Sequence, residues 1–114
     1  MKNIDVETMD NYSIIHLSGQ FTGGAETDEL VNEFDKVTNL KNPRLIVDFS
    51  NTSYMSSIVI GLLVKTHAKF NEADGTLILC SLNTTLRNVL KMTKVDTVLY
   101  IVDSLEQAKE KIEF

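Results

Sequence analysis

Two adjacent serines, Ser56 and Ser57, are the residues whose type and position could carry chemistry. They stand directly before the apolar stretch 58–70, whose length argues for a helix. Serine is a preferred N-cap because its hydroxyl accepts a hydrogen bond from a first-turn N–H that has no helical partner. Those open N–H groups and the helix dipole also favour negative charge. A phosphoryl group on Ser57 would be stabilised there, and would add about −1.5 to −2 charge to a surface suited to docking. On spacing alone, the plain N-cap is the simpler use of either serine.

The other reactive side chains offer less. His16 falls in a strand pattern, where it is expected to point outward, and His67 falls on a helix. Neither shares a motif with the other or with a carboxylate, so no metal site and no proton-transfer site are expected. Cys80, the single cysteine, lies in the apolar run Leu77-Ile78-Leu79-Cys80, which predicts a buried, inert thiol and excludes an internal disulfide. Asp48 ends a buried strand and is expected to cap the turn after it. Asp5, Asp10, Glu26, Asp28 and Glu29 read as solvated surface charges. The chain has no Walker-type phosphate loop, no dinucleotide-binding glycine fingerprint and no nucleophile elbow around Ser56 or Ser57. Gly23-Gly24 alone is a flexible turn before a helix. No catalytic residue and no cofactor are therefore expected.

Composition narrows the class. A length of 114 residues suits one domain, 1–114, and 43% hydrophobic with 24% charged residues is the balance of a globular protein. The net charge of −5 disfavours phosphate backbones and anionic lipid as partners. No run reaches the roughly 18 apolar residues a membrane span needs. Met1-Lys2-Asn3-Ile4-Asp5 lacks the pattern of a signal peptide. The expectation is a cytoplasmic protein with no membrane insertion.

The elements that must position the serines follow from periodicity. Residues 3–8 and 12–18 predict a strand pair, the second broken by Gly19. Residues 26–38 place Leu30, Val31, Phe34 and Val37 at helical spacing, with acids in the first turn to suit the dipole. Asn42-Pro43 turns the chain into 45–49, an apolar run expected of a strand buried on both faces. A polar loop then leads through Ser56 and Ser57 into the helix 58–70. Asp74-Gly75 is a turn before the buried strand Thr76–Cys80, and Asn83 caps a short helix facing Leu86, Val89 and Leu90 inward. Residues 98–102 predict a last strand, and Ser104 with Gln107 forms a capping box for a helix over 105–112. The order ββαβαβαβα implies an α/β fold with about four helices on a mostly parallel sheet, the opening pair being the antiparallel exception.

In this order and spacing the chain resembles the STAS domain family, specifically the bacterial anti-sigma factor antagonists. The resemblance runs from Gly19-Gln20-Phe21-Thr22 and the strand 45–49 through Ser53-Tyr54-Met55 into the second helix. It continues through Asp74-Gly75-Thr76-Leu77-Ile78-Leu79 and residues 86–93. It implies a protein-binding module, not an enzyme. Its serine at the start of the second helix would be phosphorylated by an anti-sigma factor that is itself a serine kinase. The unmodified antagonist would bind that kinase, and a serine phosphatase would reset the switch. Aligned through Met55 and Gly61, the regulatory serine falls on Ser57, with Ser56 the weaker candidate. Thr22, Met55, Ser56, Ser57, Ile58, Val59 and Gly61 would line the partner-binding surface.

The match has departures. Ser56 stands where the family has an aspartate, Ile58 where it has a small polar residue and Val59 where it has a glycine, while Thr22 replaces an acid. The alternative these suggest is a divergent STAS module that is never phosphorylated and serves as a constitutive scaffold or transporter accessory. A small hydrolase on the same scaffold is the third reading, and the missing motifs make it the poorest.

Overall fold

The structure, a computed structural model, describes residues 3–113. Its elements run β1 (Ile4–Thr8), β2 (Ser13–Phe21), α1 (Ala25–Thr38), β3 (Arg44–Met55), α2 (Ser57–Glu72), β4 (Thr76–Cys80), α3 (Thr84–Met92), a 3₁₀ turn (Val95–Thr97), β5 (Tyr100–Val102) and α4 (Leu105–Ile112). The strands form one five-stranded sheet in the order β1-β2-β3-β4-β5. β1 pairs antiparallel with β2, and every later pair is parallel. This is the mixed α/β architecture that the alternating pattern implies.

Side-chain alternation decides which face each helix covers. Ile15 and Leu17 of β2, Leu45, Val47 and Phe49 of β3, and Leu77 and Leu79 of β4 all turn toward one core. Leu30 and Phe34 of α1, Leu63 and Phe70 of α2, and Leu86 and Leu90 of α3 close it. Ile14, Ile46, Ile78 and Cys80 point the other way, against Ala108 and Ile112 of α4. Three helices therefore cover one face, and one short helix covers part of the other. Each large side chain fully buried this way contributes about 1.5–3 kcal/mol from transfer alone.

Three strand boundaries differ from those expected of the sequence. β2 does not stop at Gly19 but continues to Phe21, with Gly19 taking φ +87° inside the strand. The stretch 50–54, expected as a polar loop, is strand, because β3 runs on to Met55 beside the extended β2. Thr52 Oγ1 donates to the Leu17 carbonyl at 3.0 Å and Ser53 Oγ to the Gly19 carbonyl at 3.2 Å, so these polar side chains fasten the ladder. Finally, β5 begins at Tyr100, because Val95–Thr97 closes a 3₁₀ turn whose bonds to Val95 O take the amides of Val98 and Leu99.

The added length of β2 and β3 gives the sheet its shape. β4 pairs with β3 only as far as Asp48↔Cys80, whereas β2 and β3 stay paired to Phe21↔Met55. A two-stranded parallel ribbon therefore projects beyond the rest of the sheet, and α2 starts at its tip.

Candidate functional site

At the ribbon tip the two strands end in register, and Ser56 N–H donates to the Phe21 carbonyl at 2.8 Å. That bond sets the β2–α1 loop (residues 22–24) beside the first turn of α2. Gly23 has φ +101°, a backbone conformation that favours glycine, and a Cβ added there would lie 2.8 Å from Ile58 Cδ1 and push that side chain aside.

The loop is held by the side chains just after it. Glu26 Oε1 accepts from the Thr22 N–H (2.9 Å), the Thr22 hydroxyl (2.9 Å) and the Gly24 N–H (3.3 Å), and Thr27 Oγ1 accepts from the Gly23 N–H at 3.0 Å. Glu26, expected as a solvated surface charge, organises the loop instead. The Thr22 amide, with further donors from Glu26's own amide, the Thr22 hydroxyl and Gly24, lowers its carboxyl pKa to about 2.

Ser56 is the N-cap of α2, and Ser57 is its first helical residue. The expected capping bond is absent: Ser56 makes no side-chain cap, and its Oγ is buried without a hydrogen-bond partner among the described residues. Ser57 is exposed. The first turn of α2 carries no acidic residue, whereas those of α1 and α4 do. The amides of Val59 and Ile60 bond to the Ser56 carbonyl, and the first turn of α2 supplies no carboxylate of its own to the N-terminal dipole.

Helical phase sorts the remaining expected surface residues. Ile58 is 61% exposed, Gly61 faces open space, and Thr22 is exposed. Met55 and Val59, expected to line the partner surface, are corrected: Met55 is 3% exposed and Val59 is 0% exposed. Both belong to the main core with Phe21 and Leu63, because Met55 alternates inward on β3 and Val59 begins the buried stripe Val59, Ile60, Leu63, Thr66, Phe70. Val59, buried in this way, does not obstruct the exposed face. Tyr54, 49% exposed one residue before Met55, is an apolar contributor that sequence reasoning missed; strand alternation from a buried Met55 would have found it.

Away from the tip, His16 contradicts its expected isolation. Its Nδ1 lies 2.7 Å from Asp48 Oδ2, and its Nε2 lies 3.0 Å from Glu7 Oε1. Asp48 also does what was expected of it, accepting from the Ser50 N–H at 3.0 Å. Among the described residues His67 reaches only Asn71, at 3.2 Å within α2. Cys80 is buried, and burial pushes its thiol up to about 11. Among the described residues no group of three His, Cys, Asp or Glu is arranged to hold a metal ion, and no helix is long and apolar enough to cross a membrane.

Four helices on a five-stranded mixed sheet, with an antiparallel edge pair and parallel strands after it, make up the SpoIIAA-like α/β fold. The chain belongs to the STAS domain family, whose model matches residues 3–108. Solved structures agree on the fold. An anti-sigma factor antagonist from Mycobacterium paratuberculosis superposes with a TM-score of 0.85 at 20% identity, covering 97% of this chain and 93% of that one. An anti-sigma-factor antagonist (STAS) domain protein from Planctomyces limnophilus gives 0.82 at 18% identity, covering 97% and 98%. The Bacillus cell fate determinant SpoIIAA, in its phosphorylated form, gives 0.75 at 18% identity, covering 96% and 98%.

Proposed function

We propose that this protein is a non-enzymatic, cytoplasmic anti-sigma factor antagonist, one STAS unit over residues 1–114, in which Ser57 is the regulatory residue. The observation that carries this reading is the open start of α2. An exposed serine sits at its first position, and its dipole lacks a carboxylate of its own. A phosphoryl group on Ser57 would bring about −1.5 to −2 charge to that N-terminus, which tolerates it, and to the partner's contact face, which must then accommodate it. Unmodified, the tip offers Thr22, Ser57, Ile58, Gly61 and Tyr54 to an anti-sigma factor serine kinase; modified, it repels that partner until a serine phosphatase removes the charge. Ser56 is the weaker acceptor, since its hydroxyl oxygen is sealed.

The test is to incubate the protein with an anti-sigma factor kinase and ATP and to follow intact mass. One phosphoryl group is expected on the wild type and on Ser56→Ala, and none on Ser57→Ala. Kinase binding should fall at least tenfold in Ser57→Asp. Absence of both modification and kinase binding would remove the reading.

A second reading draws on the apolar character of the tip. Ile58 at 61% and Tyr54 at 49% exposure suit a permanent contact as well as a switched one. In that case the protein is a constitutive STAS scaffold or transporter accessory, and Ser57→Ala leaves partner affinity unchanged. A large loss in Ser57→Asp together with phosphorylation of Ser57 would exclude it.

A further inference from the structure

His16 lies on β2, the second strand of the sheet, between carboxylates from the strands on either side. Glu7 reaches it from β1 at 3.0 Å and Asp48 from β3 at 2.7 Å, one to each ring nitrogen. A neutral imidazole has a single N–H; its second nitrogen carries a lone pair. With both nitrogens facing carboxylate oxygens, only the imidazolium satisfies the two contacts at once. We propose that protonated His16 is a clasp that ties the edge strand β1 across β2 to β3, so that β1 is held in acid and loosened as the ring loses its second proton.

Two features make β1 the element that responds. Of its five residues only Ile4 is buried, so little apolar area fixes it beyond its ladder with β2. Glu7 is the one side chain of β1 in ionic contact with the rest of the sheet among the described residues. On the other side Asp48 is firmly placed: its side chain is 8% exposed, and it also accepts from the Ser50 amide. The clasp therefore has a rigid end on β3 and a movable end on β1.

The surrounding charges reinforce the direction. Asp5 stands opposite His16 in the β1–β2 register, so loss of the imidazolium leaves Asp5, Glu7 and Asp48 without a cation paired to them among the described residues. Cys80, opposite Asp48 on β4, stays a neutral thiol. None of Glu106, Lys109, Glu110 or Lys111 of α4, which packs on this face, makes an ion pair with the cluster among the described residues. Burial lowers the His16 pKa, but the hydrogen bonds and charges of Glu7 and Asp48 outweigh it and raise it above 6.5. The sign is then fixed. The clasp is complete below the unfolded value of 6.5 and is lost as pH rises through the folded one. Release would uncover the hydrogen-bonding edge of β2, about 17 Å along the strand from the Phe21 end where Ser57 lies.

Long-range proton–nitrogen NMR on the whole chain reads the ring directly, and both His16 nitrogens are expected to carry protons at pH 6. Amide exchange, corrected for intrinsic rate, should show β1 protection falling about tenfold relative to β4 as His16 titrates. Glu7→Gln, at a half-exposed position, should lower the His16 midpoint and flatten that fall. His16→Gln should show the loosened β1 at every pH with α2 and β4 unchanged. If that variant does not fold, the wild-type titration decides alone. A single ring N–H at pH 6, or β1 protection that stays level through the His16 titration, overturns the clasp.

Discussion

The helix starts of this protein are built in two ways. α3 and α4 are fastened: Asn83 Oδ1 accepts from the Leu86 N–H at 2.8 Å, and Ser104 Oγ from the Gln107 N–H at 3.1 Å. Each has a second tie, from Asn83 Nδ2 to the Thr52 carbonyl and from the Asp103 N–H to Gln107 Oε1. α2, the longest helix, begins with a serine that caps nothing. Its anchorage comes from Val59, Ile60 and Leu63 packed in the core, so the exposed Ser57 is not needed to hold its start. A helix secured by its apolar face can leave its N-terminus open, and an open N-terminus at a projecting tip is where a charge added later has most effect.

The contrast can be broken by mutation. Asn83→Ala should have the largest effect, a loss of about 1–2 kcal/mol in chemical denaturation, because it removes a cap and the tie to the ribbon together. Ser104→Ala should cost about 1 kcal/mol, the ordinary value of a lost serine cap. Ser57→Asp should raise stability by about 0.3–1 kcal/mol at low ionic strength, with the gain shrinking in salt, since it supplies the charge that the α2 dipole lacks. Ser56→Ala should change stability by less than about 0.5 kcal/mol or raise it slightly, as its hydroxyl has no bond to lose. A loss of about 1 kcal/mol in Ser56→Ala would mean that α2 is capped like α3 and α4, and the contrast would fall.

Much of this fold is legible in the chain itself. The order of elements, the caps at Asn83 and Ser104 and the buried Cys80 come from local patterns that the structure keeps. The tip is harder to read. Ser50-Asn51-Thr52-Ser53 has the composition of a loop, and its strand conformation depends on hydroxyl bonds to Leu17 and Gly19, more than thirty residues away. The error over Met55 and Val59 has the same source. A resemblance locates a segment, but only strand alternation and helical phase say which of its side chains face solvent. His16, Glu7 and Asp48 meet through the pairing of three strands, and one residue of slip in register would separate them. No local pattern contains that information.

The pairing of Phe21 with Met55 at the end of the ribbon has a consequence for how this surface can be copied. A synthetic helix carrying the α2 sequence would reproduce Ser57 and Ile58 but not the glycine loop lying against them, which belongs to a segment thirty-odd positions earlier. Recognition built on both is a property of the folded molecule: a reagent raised against the linear epitope would see the serine, while a competitor for the proposed contact must imitate two strand ends at once.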